Sequence, residues 1–206
     1  MALLIGKKIG MTQLFEESGK VVPVSVIEAG PCPVVQVKTP EKEGYAAIQI
    51  GFIEAKANRT TSPMKGHFEK AKVAAQRVLR EERVEDASAF NVGDVLDVNV
   101  FEGVQRVDIT GVSKGRGFAG TVKRHNFKRG RKTHGNKSYR EPGSVGMCAT
   151  PSRIFKGKRL PGRMGGVTRT VRNINVVQVD AENNLLFVKG QVPGANNGIV
   201  YIRTKK

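Results

Sequence analysis

Arg106 to Val112 reads RVDITGV, a β-rich run, and Ser113 to Gly120 follows at once as SKGRGFAG, where glycines and cations replace the aliphatics. This junction divides the chain. From residue 113 to residue 172 there are 17 Lys and Arg and a single acid, Glu141, for a net charge of +16. The remaining 146 of the 206 residues hold 18 Lys and Arg against 17 acids, for a net charge of +1. The basic stretch also contains 11 Gly, and only 9 of its 60 residues are Leu, Ile, Val or Phe. Such a stretch buries too little apolar surface to offset its own ordering entropy. The core must lie in the rest.

Upstream of the junction, Met11 to Phe15 and Val21 to Glu28 read as strands, separated by the turn-forming Glu17, Ser18 and Gly19. Val34 to Lys38 and Tyr45 to Phe52 follow, bounded by Gly30-Pro31-Cys32-Pro33 and by Glu43-Gly44. Val95 to Phe101 reads as another strand, with Leu96, Val98 and Val100 on its apolar face. Downstream, Ile174 to Val179, Leu185 to Val188 and Ile199 to Ile202 complete the set, with turns at Asn183-Asn184 and Pro193-Gly194. One stretch departs from this pattern: Phe68, Ala71, Ala75, Val78 and Leu79 recur at helical spacing and predict a helix within His67 to Arg83. Many short strands with Gly and Pro turns predict a mainly β fold, a closed or nearly closed β-barrel. Residues 1–112 and 173–206 would form it, and residues 113–172 would be a basic insertion between two of its strands. An insertion of that length is functional or disordered.

The overall charge of +17 argues against a neutral metabolic enzyme and for a polyanionic partner. The longest apolar runs, such as Ala2 to Ile5, fall far short of the ~20 residues of a membrane span. The N-terminal residues lack the pattern of a secretory signal. Cys32 and Cys148 are too few for a disulfide scaffold and suit a reducing cytosol. These features predict a soluble intracellular protein without a membrane or small-molecule partner.

Each candidate for chemistry has a plainer reading. Gly115-Arg116-Gly117-Phe118-Ala119-Gly120 satisfies G-x-G-x-x-G, but a dinucleotide site needs an alternating βαβ context and an acid at the end of the next strand. Here Lys, Arg and Gly follow, and no kinase catalytic loop or D-F-G appears. Gly130 to Lys137 lacks the G-K-[ST] ending of a P-loop. His125, His134 and Glu141 could form an acid–base set only if apolar support held them together, and the segment offers little. Cys148 and these histidines lack zinc-ligand spacing. No catalytic group, metal or cofactor is therefore expected; Cys32 reads as a core cysteine and Cys148 as a small residue at a loop tip.

What remains is a polyanion interface. The counter-charge would come from Lys114, Arg116, Lys123, Arg124, Lys128 and Arg129, then from Arg131, Lys132, Lys137 and Arg140. Arg153, Lys156, Lys158, Arg159, Arg163 and Arg169 continue it, with His125 and His134 placed to stack or hydrogen-bond. Phe118, Phe127, Tyr139 and Phe155 are interleaved and offer stacking surfaces. Composition does not separate RNA from DNA. An RNA-modifying enzyme with a basic substrate arm, or a DNA-binding protein, is the competing reading.

The spaced residues Phe101, Asp108, Gly111, Ser113, Gly115-Arg116-Gly117, Gly120 and Arg124 resemble the pattern of the large-subunit ribosomal protein three family. The resemblance runs along essentially the whole chain. It includes Gly6-Lys7-Lys8-Ile9-Gly10-Met11-Thr12, Pro23 to Glu28, Gly66-His67-Phe68 and Lys123 to Phe127. Thr133-His134-Gly135, Pro142 to Gly146, Phe155 to Lys158 and Val188 to Gly194 are similar to further family blocks. The compact length resembles bacterial members, or organellar ones of bacterial type.

The resemblance implies a translation-protein-type β-barrel with a small α+β insertion at about residues 54–90. It implies direct binding to large-subunit rRNA, a part in nucleating subunit assembly, and contact with ribosomal proteins fourteen and nineteen in the cytoplasm. It also implies that the basic segment reaches toward the peptidyl-transferase centre without catalysis. The tip would span Gly143 to Arg153 and include Ser144, Met147, Cys148, Ala149 and Thr150. Two departures stand out. Bacterial members often carry a methylated Gln where Ala149 stands, so that modification is not expected, and Ser152 stands where Gly is usual.

Overall fold

The computed structural model describes residues 3–204. Its strands are β1 (Leu3–Phe15), β2 (Val21–Ala29), β3 (Cys32–Lys38), β4 (Ala47–Glu54), β5 (Gln76–Arg83), β6 (Val95–Leu96) and β7 (Arg106–Val112). These are followed by β8 (Phe118–Ala119), β9 (Gly162–Arg163), β10 (Thr168–Asp180), β11 (Leu185–Lys189) and β12 (Ile199–Thr204). Three short helices are α1 (Pro40–Glu43), α2 (Ser62–Ala71) and α3 (Thr121–His125). The chain is mainly β. It divides into two compact units, one joining the chain up to Ser113 with the chain from Thr168, the other Lys114–Val167.

In the first unit six antiparallel strands pair in a closed ring, in the order β1-β12-β7-β10-β11-β2 and back to β1. Alternation makes these strands two-faced. In β7, Val107, Ile109 and Gly111 are buried while Arg106 and Val112 are exposed and Asp108 and Thr110 half-buried. The β7 register places Ile109 opposite Ile202 on β12 and Val171 on β10. A second sheet, in the order β5-β4-β3-β6, lies in the same unit with α2. One core joins the two sheets: Leu4, Ile5, Ile27, Ile109, Leu186 and Ile202 of the ring cluster with Val34, Ile50, Val98 and Phe101. Each large aliphatic buried there contributes roughly 1.5–3 kcal/mol. Leu3, Leu4 and Ile5 are buried on successive residues, which is why β1 begins with an apolar run instead of alternating.

Polar contacts brace this unit. Lys38 on β3 and Tyr45 both hydrogen-bond Glu81 on β5, at 2.6 and 3.0 Å, and the Lys38 contact holds the Glu81 carboxyl below its usual range. The buried Glu82 pairs with Arg203 of the ring strand β12. Gly30 turns the chain between β2 and β3 at φ +85°, where a Cβ would stand 3.1 Å from the Leu96 carbonyl.

Several elements differ from expectation. The helix is α2, Ser62–Ala71, which keeps Phe68 and Ala71 on its buried side and ends at Lys72 in a left-handed conformation. Ala75 lies in the turn beyond it, and Val78 and Leu79 belong to β5, where pairing with β4 overrides the helical spacing. Val95 to Phe101 is a strand for two residues only; a 3-10 helix at Val98–Phe101 then brings Val98 and Phe101 to the core and leaves Val100 exposed. The sheet of β5 also contains β3, β4 and β6, so it draws on residues before and after 54–90. The strand expected at Ile174 begins at Thr168, so residues 168–171 pair with β7 within the ring unit.

Candidate nucleic-acid interface

The unit Lys114–Val167 carries little regular structure. Its apolar content is too small for a core of its own, and Ala119 and Thr121 are its only buried residues. Backbone pairing closes its two ends: β8 pairs with β9, Phe118 opposite Arg163 and Ala119 opposite Gly162. Arg116 donates its amide to the Met164 carbonyl at 2.8 Å, and Met164 returns a bond to Gly117 at 2.9 Å. Gly165 sits at φ +71°, and a Cβ there would fall 2.1 Å from the Lys114 carbonyl oxygen. Only glycine fits.

Side chains from α3 fasten the same region. Arg124 donates to the Leu160 carbonyl at 2.8 Å, and the His125 ring lies 3.1 Å from that oxygen. His125 is half-buried and also packs near Phe127. A hairpin-like turn follows, in which the Gly130 amide bonds the Tyr139 carbonyl and Asn136 bonds the Arg131 carbonyl. Arg129 and Lys132 stand over the Tyr139 ring, and Arg129 also donates to its hydroxyl at 3.1 Å. At the expected tip, Ser144 donates to the Gly146 carbonyl and Ser152 to the Ala149 carbonyl. Ser152 adopts φ +57°, the left-handed region that suits glycine better than serine. Gly143, Ser144, Met147, Cys148, Ala149 and Thr150 are all exposed.

The electrostatics are one-sided. All sixteen predicted cations are exposed, and among the described residues none forms a salt bridge. The single acid, Glu141, accepts the Ser138 hydroxyl at 3.0 Å instead. Arg163 lies opposite Phe118 and Arg153 stands over Phe155. Lys123, Lys128, Arg131, Lys137, Arg140, Lys156, Lys158 and Arg159 point to solvent without side-chain partners among the described residues, as does His134. Arg169 is the exception in position: it lies on the ring strand β10, opposite Gly111. Of the four aromatics, Phe118 is 79% exposed, Phe127 is half-buried, and Tyr139 and Phe155 already carry cations on their rings.

Sequence reading missed Gly165 as a packing residue, although the pair Gly165-Gly166 was its signal. The described residues bring no three His, Cys, Asp or Glu side chains together as a metal cluster, and no helix is long and apolar enough to cross a membrane. His125 and Glu141 have separate partners, the Leu160 carbonyl and the Ser138 hydroxyl, and among the described residues no hydrogen bond joins them to each other or to His134.

A mainly β protein that holds sixteen uncompensated cations out to solvent has the make-up of a polyanion-binding protein. The comparisons give the family. The family model described as "Ribosomal protein L3" matches residues 46–184. A protein of Acidothermus cellulolyticus named large ribosomal subunit protein uL3 is 52% identical over 202 residues, covering 98% of this chain and 91% of that protein. The chain belongs to the ribosomal protein L3 family, a family of structural ribosomal proteins and not of enzymes.

Proposed function

We propose that the chain is a structural constituent of the large ribosomal subunit in the cytoplasm, where it binds large-subunit rRNA directly and helps to nucleate subunit assembly. In this reading the six-stranded ring is a translation-protein-type β-barrel, and the basic segment expected at residues 113–172, whose last residues open β10 of the ring, forms an extension that penetrates the rRNA. Its sixteen cations, together with Arg172, would supply counter-charge where phosphates pack too closely for ions alone, with Arg able to take phosphate oxygens in pairs. The exposed Phe118, flanked by Arg163, suits stacking on an unpaired base. The tip, Gly143 to Arg153, would support the rRNA of the peptidyl-transferase centre, and ribosomal proteins fourteen and nineteen would be neighbours.

The observation that carries the proposal is charge segregation without internal compensation: +16 in one 60-residue stretch, with no salt bridge to its described cations. A protein whose partner was not a polyanion would pay for that repulsion with nothing in return. Co-sedimentation tests it. The tagged chain should remain with large ribosomal subunits through a high-salt wash; release into the supernatant, or recovery on DNA, would overturn the proposal.

A further inference from the structure

The first unit is nearly neutral in sum, yet one concave site on it is cationic. A cavity of about 460 Å³ is lined by the end of β4, the turn after it, the start of α2 and the start of β5. That volume lies within the ~300–1,000 Å³ typical of small-molecule clefts. Its apolar lining is Ile53, Met64 and Phe68, of which Phe68 is buried and the other two half-buried. Lys56, Arg59 and Arg77 line it as well, all exposed and none in a salt bridge among the described residues, against the single acid Glu54. Ile53 adopts φ +62°. A β-branched residue stays in that conformation only where its surroundings hold it, and such strain clusters at ligand sites.

An apolar floor with three unpaired cations beside it complements a flat ring that carries an anion. Aromatic and guanidinium surfaces stack on bases, and arginines bind phosphate oxygens through paired hydrogen bonds. Inorganic phosphate alone would leave the apolar lining without a partner. We propose that this cavity binds one unpaired nucleoside phosphate, with its base on Met64 and Phe68 and its phosphate at Arg59, Arg77 and Lys56. In the assembled subunit that nucleotide belongs to the rRNA. This assignment of the source rests on the rRNA-binding reading above, whereas a free mononucleotide presents the same chemistry.

Photo-cross-linking of the full chain with 8-azidoadenosine 5′-monophosphate, followed by peptide mass spectrometry, tests the site. Saturable labelling within residues 53–77 is expected, displaced by AMP and not by an equal concentration of inorganic phosphate. R59E with R77E should weaken it at least about tenfold, the loss expected when charge-assisted contacts go. M64W should block it by filling the cavity at unchanged charge, while R129E with K132E should leave it intact. Circular dichroism checks that each variant is folded. Labelling confined to residues 114–167, or indifferent to R59E/R77E and M64W, would overturn the proposal. In assembled large subunits an rRNA nucleotide should protect residues 53–77; labelling that persists there would overturn rRNA as the source. A chain that assembles yet shows no label sinks this inference alone, and one that labels yet never joins the subunit sinks the rRNA reading instead.

Discussion

Cys32 and Cys148 show how strongly position decides what a residue does. Cys32 is fully buried on β3, its thiol facing the Ile5 carbonyl at 3.4 Å, whereas Cys148 is exposed. Burial pushes the Cys32 thiol up from 9.0 to about 12; the Ile5 contact opposes that rise and the charge of Asp97 adds to it. The sign follows from linkage. A thiol with a raised folded pKa favours the folded state below its unfolded pKa and loses that contribution as pH climbs toward the folded value. Thermal melts of the wild type should therefore fall more steeply than those of Cys32→Ala between about pH 9 and pH 12. Equal slopes would show that Cys32 does not titrate with unfolding. At neutral pH a thiol reagent should modify Cys148 at once and Cys32 only on unfolding. Under the proposed function the tip contributes no chemical group, since Thr150 has no base among its described contacts. Thr150→Ala with Cys148→Ala should thus assemble into subunits that still form peptide bonds in a single-turnover assay; abolished bond formation in assembled subunits would contradict a supporting role.

Elements were legible in the sequence where one physical signal acted alone. The β-rich runs Val21 to Glu28 and Arg106 to Val112 marked strands that the ring contains. The signals failed where two periods overlapped. Phe68 and Ala71 are helical neighbours, but Val78 and Leu79 extend the same spacing into β5, whose pairing with β4 is a long-range property no local window holds. Val98 and Phe101 are three apart, so the alternating reading put them on opposite faces, and only the 3-10 turn brings both to the core. The basic interface was legible as composition, yet the cations over Tyr139 and Phe155 depend on tertiary placement. The cavity beside Arg59 and Arg77 was hidden because only the pairing of β4 with β5 brings Arg77 beside Lys56 and Arg59. Gly165 belongs to the same group of missed residues and makes a sharp prediction. Gly165→Ala would drive a methyl group to 2.1 Å from the Lys114 carbonyl oxygen, at a φ of +71° that costs a non-glycine residue roughly 1–2 kcal/mol besides. It should loosen the β8–β9 closure, seen as faster limited proteolysis within residues 114–167, with the melting of the first unit unchanged. Unaltered proteolysis would mean that Lys114 can yield without opening that closure.

On the scale of the whole molecule, stability and charge reside in different parts of the chain. The core cluster is drawn entirely from residues outside 114–167, and +16 of the +17 net charge lies within 113–172. Replacing Lys123 to Lys158 by a short Gly linker should therefore leave a chain that melts cooperatively, since no residue of that span belongs to the core cluster. The same deletion removes eleven of the sixteen cations assigned to the interface, leaving Lys114, Arg116, Arg159, Arg163 and Arg169. Affinity for a large-subunit rRNA fragment should then change in a particular way. Each phosphate neutralised by Lys or Arg releases counterions, so log K falls with log salt by ~0.7–0.9 per contact. If about 8 phosphates are met by the full chain, its slope should be roughly −6 to −7 by that coefficient. The deleted chain, with five interface cations, should show a slope of about −4 or shallower on the same basis. Filter binding across a salt series measures both slopes, and their difference isolates the deleted segment from the remaining cations. A cooperative melt with an unchanged slope would place the rRNA contacts on the first unit. A full-chain slope near zero would remove the electrostatic mechanism altogether.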